Sequence, residues 1–238
     1  MSSYGPADER PHLAEVAPGW SESWEMRLVD PRERVAVVIA VIRRPAEQRA
    51  SYLASIIAPD RSTVSVLEHE LAEPGVGLEL RGPAIWADQV CESPFVHWSL
   101  GLEAFGLRFD DPLDAVGLGR GEVVPVGFDL EWEDQAGPEE VDSGPGYRAD
   151  GSAHGEVLVG TDRLEVEGFG GRVHRWGTGP RLATWSLGPA ADPDARPIAR
   201  ALAADDTGAT VEWCLVEVPD DGPGGLALVS SLVPAAPV

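Results

Sequence analysis

The sequence predicts an all-β protein built as an antiparallel sandwich or barrel. Many short β-rich runs are separated by Gly, Pro and Asp, and amphipathic helical periodicity is scarce. The segment Phe128–Glu133 alternates Phe128, Leu130 and Trp132 with Asp129, Glu131 and Glu133, the pattern of a strand with one apolar and one acidic face.

The expected strands follow in order. Segments 23–29, 34–42, 50–57, 63–70, 77–80, 85–91, 96–109 and 122–133 make up the first part of the chain. Segments 153–159, 163–166, 172–176, 181–187, 211–218 and 225–232 make up the second. The apolar run Val35–Ile42 is too short to span a bilayer and reads as a buried strand. Glu156–Val159 and Leu164–Val166 flank a turn at Gly160–Asp162 and form a hairpin. One helix is expected over Pro193–Ala204, where Ile198 and Leu202 share helical spacing. Gly117–Gly121 reads as a turn, and Pro219–Gly225 as the hairpin loop between the last two strands. The tail Pro234–Val238 is expected to fray. The Gly-, Pro- and acid-rich loop 134–146 divides the chain. An N-terminal β domain is expected at 1–134, and a C-terminal β half at 147–238 completes or packs on it.

Composition narrows the function. A chain of 238 residues that is 43% hydrophobic is ample for one large β domain or two small ones. A formal charge of −22 repels phosphate backbones and anionic membranes, so neither nucleic acid nor membrane insertion is expected. Every strongly basic residue is arginine, which excludes a Schiff-base lysine, a P-loop lysine and a lysine general base. The two cysteines, Cys91 and Cys214, lie in apolar strands and read as buried free thiols. The N-terminal ten residues are polar and acidic, unlike a signal peptide, so a cytoplasmic location is expected.

The most informative segment is Gly168–Gly177, G-F-G-G-R-V-H-R-W-G. Glycines around bulky side chains signal close backbone approach, and alternation places Arg172, His174 and Trp176 on one face. That face reads either as a site or as a structural corner. His97, Ser99, Glu103 and Phe105 share one face of their strand, while Trp98, Leu100 and Leu102 share the other. Glu103 reads as a spare acid or as an arginine partner. Tyr147 and His154 bracket the hairpin entry. No H-x-H, H-E-x-x-H, C-x-x-C or G-x-S-x-G pattern occurs, so no metal and no serine triad is expected. Eight tryptophans suit thick β-cores and pockets for bulky apolar ligands alike, with Trp98 and Trp176 expected beside a pocket.

Gly170–Gly177 resembles the G-x-R-D-H-S-W-G signature of the lipocalin-like hydroxyneurosporene synthase (carotenoid hydratase) superfamily. W-S-E-S-W-E at Trp20–Glu25, the run Trp86–Gly106, V-P-V-G-F-D-L-E-W-E and H-G-E-V-L-V-G fit the same order, so the resemblance spans roughly residues 20–177. Val173 stands where the family has its acid and Arg175 where it has its serine, so that acid's role does not carry over. The resemblance implies a lipocalin-like (calycin-type) antiparallel β-barrel, with two packed barrel halves as a variant. It also implies cofactor-free hydratase or cyclase chemistry on a terpenoid or polyketide in specialised metabolism. On this expectation His174, Arg172 and Glu103 do the chemistry, and Trp176, Trp98, His97, Tyr147 and His154 line the ligand. A non-catalytic carrier or sensor of the same ligands is the alternative. A sheet left open after Gly177 would expose strand edges and favour a homodimer.

Overall fold

The computed structural model describes residues 4–13, 17–59, 62–116, 120–141, 144–182, 184–188, 195–218 and 225–233. Its strands are β1 (Trp20–Asp30), β2 (Val35–Arg44), β3 (Arg49–Ile57), β4 (Thr63–Ala72), β5 (Leu80–Gly82), β6 (Ile85–Ser93) and β7 (His97–Phe109). They continue with β8 (Glu122–Asp134), β9 (Glu139–Glu140), β10 (Gly146–Val159), β11 (Asp162–Thr178), β12 (Arg196–Ala204), β13 (Thr210–Glu217) and β14 (Leu226–Val233).

The large antiparallel sheet runs β4-β3-β2-β1-β11-β10-β8-β7-β6-β5, and β4 also pairs with β7 through Thr63–Phe109, Val64–Arg108 and Ser65–Leu107. That pairing curls the sheet into a ring, and β11, which ends at Thr178, is covered on both sides by β1 and β10. The acidic loop after β8 pairs back on β10 through the two residues of β9. The second layer is not another barrel. It is the three-stranded sheet β12-β13-β14, laid on the outside of the ring.

These two layers explain why β2 is apolar along its whole length. Val35, Val37, Ile39 and Val41 face the lumen, while Ala36, Val38, Ala40 and Ile42 face the outer sheet and pack with Trp213, Leu215 and Leu228. A strand covered on both faces needs no polar alternation. Arg27, on the outer face of β1, fastens the layers. It donates to Glu25, to the Trp185 carbonyl at 2.5 Å and to Ser230 Oγ at 2.9 Å, and lies 4.0 Å from the Trp185 ring centre.

Three expectations change. The segment expected as a helix is strand β12 from Arg196 onward, and its first residues lie outside the described set. Its register against β13 turns Ala201 and Ala203 into the outer core, so pairing outweighs the helical propensity of an alanine-rich run. No strand forms at 181–187 among the described residues. Leu187 makes only an isolated bridge to Leu228. Both cysteines are free, but half-buried rather than buried. The tail 234–238, most of the 219–225 loop and residues 117–119 of the expected Gly117–Gly121 turn lie outside the described residues.

Most of the lumen is filled. Met26, Leu28, Val37, Ile39, Ile56, Leu100, Phe128, Val157 and Val166 pack together there. The free space expected through a barrel is displaced to one mouth of the ring.

The glycines of β11 position that mouth. Gly170 pairs with Gly151, which in turn pairs with Asp134 on β8. A Cβ on Gly170 would stand 2.4 Å from the Trp132 indole and 2.7 Å from the Arg27 carbonyl. The missing side chain lets the Trp132 ring cross the neighbouring strand. Gly170→Ala should therefore destabilise the protein by about 1–3 kcal/mol through overpacking, whereas Gly137→Ala, with open space around it, should stay within about 0.5 kcal/mol. Urea unfolding of the two variants checks the contrast.

Candidate functional site

Strand register assembles the site. His174 of β11 pairs with Trp24 of β1 on one side and Tyr147 of β10 on the other, and Arg172 pairs with Met26 and Ala149. All of these are inward positions, so the rows Trp24–His174–Tyr147 and Met26–Arg172–Ala149 lie on the lumen wall. The N-terminal segment, with a short 3-10 turn at Pro6–Glu9, crosses the mouth and adds Tyr4, Glu9 and His12.

Arg172 is 1% exposed and lies between two carboxylates. Nε and Nη2 donate to Asp134 at 2.9 and 2.5 Å, and Nη1 and Nη2 to Glu9 at 3.1 and 2.5 Å. Nη1 also donates to the Tyr147 hydroxyl oxygen at 3.2 Å. All five N–H bonds are thereby engaged. The guanidinium carbon stands 5.4 Å from the Tyr147 ring centre, 5.6 Å from Trp98 and 5.8 Å from Phe95. Burial works against its charge, but the hydrogen bonds it donates to Asp134 and the charges around it raise its pKa and keep it protonated. Glu9 reaches past Arg172 to accept from the Phe95 backbone N–H at 3.1 Å, and Phe95 sits in the left-handed region at φ 56°.

His174 is fully buried. Its Nε2 lies 2.9 Å from Glu22 Oε1, its Nδ1 3.3 Å from the Tyr147 hydroxyl, and its ring stacks on Trp24 at 4.2 Å. Glu22 also meets His12 Nδ1 at 2.7 Å, the His12 backbone N–H at 3.0 Å and Arg43 Nη1 at 3.1 Å. His12 stacks on Trp176 at 3.9 Å. Burial lowers the His174 pKa despite the opposing Glu22 contact. Burial would raise that of Glu22, but hydrogen bonds from His12 and His174 hold it below its usual value. Burial acts to lower His12, yet its contacts with Glu22 and Asp8 raise it. At neutral pH Glu22 is therefore a carboxylate and His174 a neutral imidazole. The carboxylate fixes the His174 proton on Nε2 and leaves Nδ1 to accept from Tyr147. Burial raises the Tyr147 pKa, which keeps it a phenol.

His12, Glu22 and His174 each present a ligand atom, all within 4.8 Å of one another. This two-histidine, one-carboxylate set is the group in the site able to hold a divalent metal. Asp8 on His12 and Tyr147 on His174 stand where orienting partners of ligating histidines stand.

Four buried side chains on the lumen side carry polar atoms with no hydrogen-bond partner among the described residues: Trp24 Nε1, Trp98 Nε1, the Tyr52 hydroxyl and both amide atoms of Gln89. Each such atom costs about 1–3 kcal/mol. A cavity of about 510 Å³ opens beside two of them, lined by Glu9, Leu78, Gln89, Cys91 and Trp98.

Of the residues singled out from sequence, the structure gathers Arg172, His174, Tyr147, Trp98 and Trp176, the last half-buried beside His12. His97, Glu103 and His154 do not join them. Alternation along β7 and β10 turns all three to the outer face, where Glu103 and His154 are exposed and His97 meets Glu131 at 2.6 Å. Val173 also points outward, so the acids of the site come from Glu9, Glu22 and Asp134. Two of those were within reach of strand parity. Glu22 shares its strand face with Trp20 and Trp24, and Asp134 continues the Phe128–Leu130–Trp132 face. Glu9 and His12 carry no periodic signal.

The family described as Domain of unknown function (DUF7064) matches residues 5–188. The chain belongs to this family. The DUF7064 match begins in the segment that crosses the mouth and ends at the start of the outer layer. Among curated proteins, none matches the chain. Among solved structures, that of kievitone hydratase from Nectria haematococca is similar, with a TM-score of 0.48 and 11% identity over 92% of this chain and 67% of that one. No helix among the described residues is long and apolar enough to cross a membrane.

Two stability predictions follow from the buried charges. Asp134→Ala leaves Arg172 short of one carboxylate in the interior and should cost about 3–5 kcal/mol, read from the urea midpoint. Stability should also fall with acid. Below pH 6.5 the unfolded chain protonates the histidine that the fold keeps neutral, and at lower pH Glu22 loses the carboxylate that the fold favours. His174→Gln should flatten the decline between pH 7 and 5, and an unchanged slope would contradict this assignment.

Proposed function

We propose that the protein binds a bulky, largely apolar small molecule of terpenoid or polyketide type at the mouth of the ring and catalyses its hydration or cyclisation by proton transfer. The supporting observation is the buried chain Glu22–His174–Tyr147–Arg172, in which a carboxylate orients a neutral imidazole against a phenol beside a guanidinium. This is the orienter, base and hydroxyl order of an activated proton-transfer group.

In a hydration, the Tyr147 phenol gives its proton to one carbon of a polarised double bond as a water oxygen bonds to the other. The proton lost by that water passes to His174 Nδ1 and returns to the phenolate oxygen 3.3 Å away. In a cyclisation, the same pair donates to one carbon and takes a proton from another. Arg172 stabilises the phenolate as it forms. Because its donors are all engaged, Arg172 is a positioning group rather than a direct ligand contact. Glu103, on the outer face, takes no part.

The fully satisfied state of Arg172 also favours a second reading, a carrier or sensor that holds the molecule without turnover. One experiment separates the two. A panel of terpenoid polyenes and aromatic polyketides is screened by tryptophan fluorescence, and bound members are followed by mass spectrometry for addition of water or for isomerisation. The enzyme reading expects His174→Gln to lower turnover by about 10²–10⁴-fold with affinity little changed. Binding without any product supports the carrier, and a panel in which nothing binds contradicts both readings.

A further inference from the structure

We propose that the cavity between β6 and the 75–79 loop docks a hydroxyl group of the ligand, with Gln89 and Trp98 as the residues that recognise it. This deepens the apolar-ligand reading above and rests on it.

Gln89 lies on the inward face of β6 between Ala87 and Cys91, opposite Leu100 of β7, and Trp98 lies opposite Cys91. Gln89 is 4% exposed and Trp98 1% exposed. Among the described residues neither the N–H nor the carbonyl oxygen of the enclosed glutamine amide has a partner, and the Trp98 indole N–H is in the same state. Both side chains line the same cavity of about 510 Å³, a size suited to a compact organic molecule. Its remaining wall is mixed: Leu78, Val90 and Cys91 are the less polar part, Arg10, Glu79 and Asp88 add charge, and Glu9 stands at the side nearest Arg172.

The unpaired atoms specify the chemistry of the missing group. Gln89 Oε1 needs a donor, while Gln89 Nε2 and Trp98 Nε1 need acceptors. A carbonyl answers only the donors and a hydrocarbon answers none. An alcohol or phenol donates to Oε1 and accepts from an N–H, so it satisfies both kinds. Trp98 also stands 5.6 Å from the Arg172 guanidinium, and Glu9, which holds Arg172, lines the same cavity, so a molecule held here by its hydroxyl lies on the Glu9–Arg172 side of the site.

Calorimetry with the matched pair 2-naphthol and naphthalene tests the assignment. Gln89→Leu should lower the naphthol-to-naphthalene affinity ratio at least tenfold while leaving naphthalene binding equal or tighter. Trp98→Phe should lower the ratio by less, since it removes only one donor. Gln89→Met repeats the comparison should the leucine variant fail to fold. Binding of both probes to the unsubstituted protein, with a ratio that Gln89→Leu and Gln89→Met leave unchanged, overturns hydroxyl docking while the apolar-ligand reading stands. If neither probe binds the unsubstituted protein, the docking proposal and the apolar-ligand reading fall together.

Discussion

A guanidinium enclosed between two carboxylates organises one end of this ring. Arg172 holds Asp134 on β8 and Glu9 in the N-terminal segment at the same time, and so joins three parts of the chain distant in sequence. Bringing such charges out of water is costly unless each is paired, and losing one partner costs more than the pair itself contributes. The geometry around it follows from that constraint. Asp134 accepts from the Trp132 indole N–H at 2.8 Å, Glu9 fixes the Phe95 backbone, and Tyr147 is held within reach of His174. The N-terminal segment is then part of the site's wall.

The second constraint is the space that allows those groups to meet. Gly151 and Gly170 sit side by side on β10 and β11, and the Trp132 ring occupies the room their side chains would take. An apolar lumen supports this arrangement from below. The charge network is confined to the mouth because there the strands can deliver polar residues from inward positions without interrupting the packed interior.

The all-β class was legible because short alternating runs leave little room for helices, and most strands lie within a few residues of their expected places. The face shared by Arg172, His174 and Trp176 was legible for the same reason, since alternation is a local rule. The helix expected over Pro193–Ala204 failed because alanine-rich segments carry little of their own preference once a neighbouring strand offers pairing and cover. His97, Glu103 and His154 were singled out by residue type, but parity alone does not say which face is inner. Trp98 and Trp132 mark the inner side of β7 and β8 only once the ring is closed by the β4–β7 pairing, a contact between residues far apart in sequence. Glu9 and His12 reach the site from an irregular segment whose path depends on the carboxylate and guanidinium it meets.

The functional account turns on how protons are distributed along Glu22, His174 and Tyr147. Nitrogen-15 NMR of the His174 imidazole reads that distribution directly. The account predicts a neutral ring at pH 7, with the proton on Nε2 and slow exchange with solvent. An imidazolium at that pH, the opposite tautomer, or exchange as fast as that of a surface histidine would contradict it.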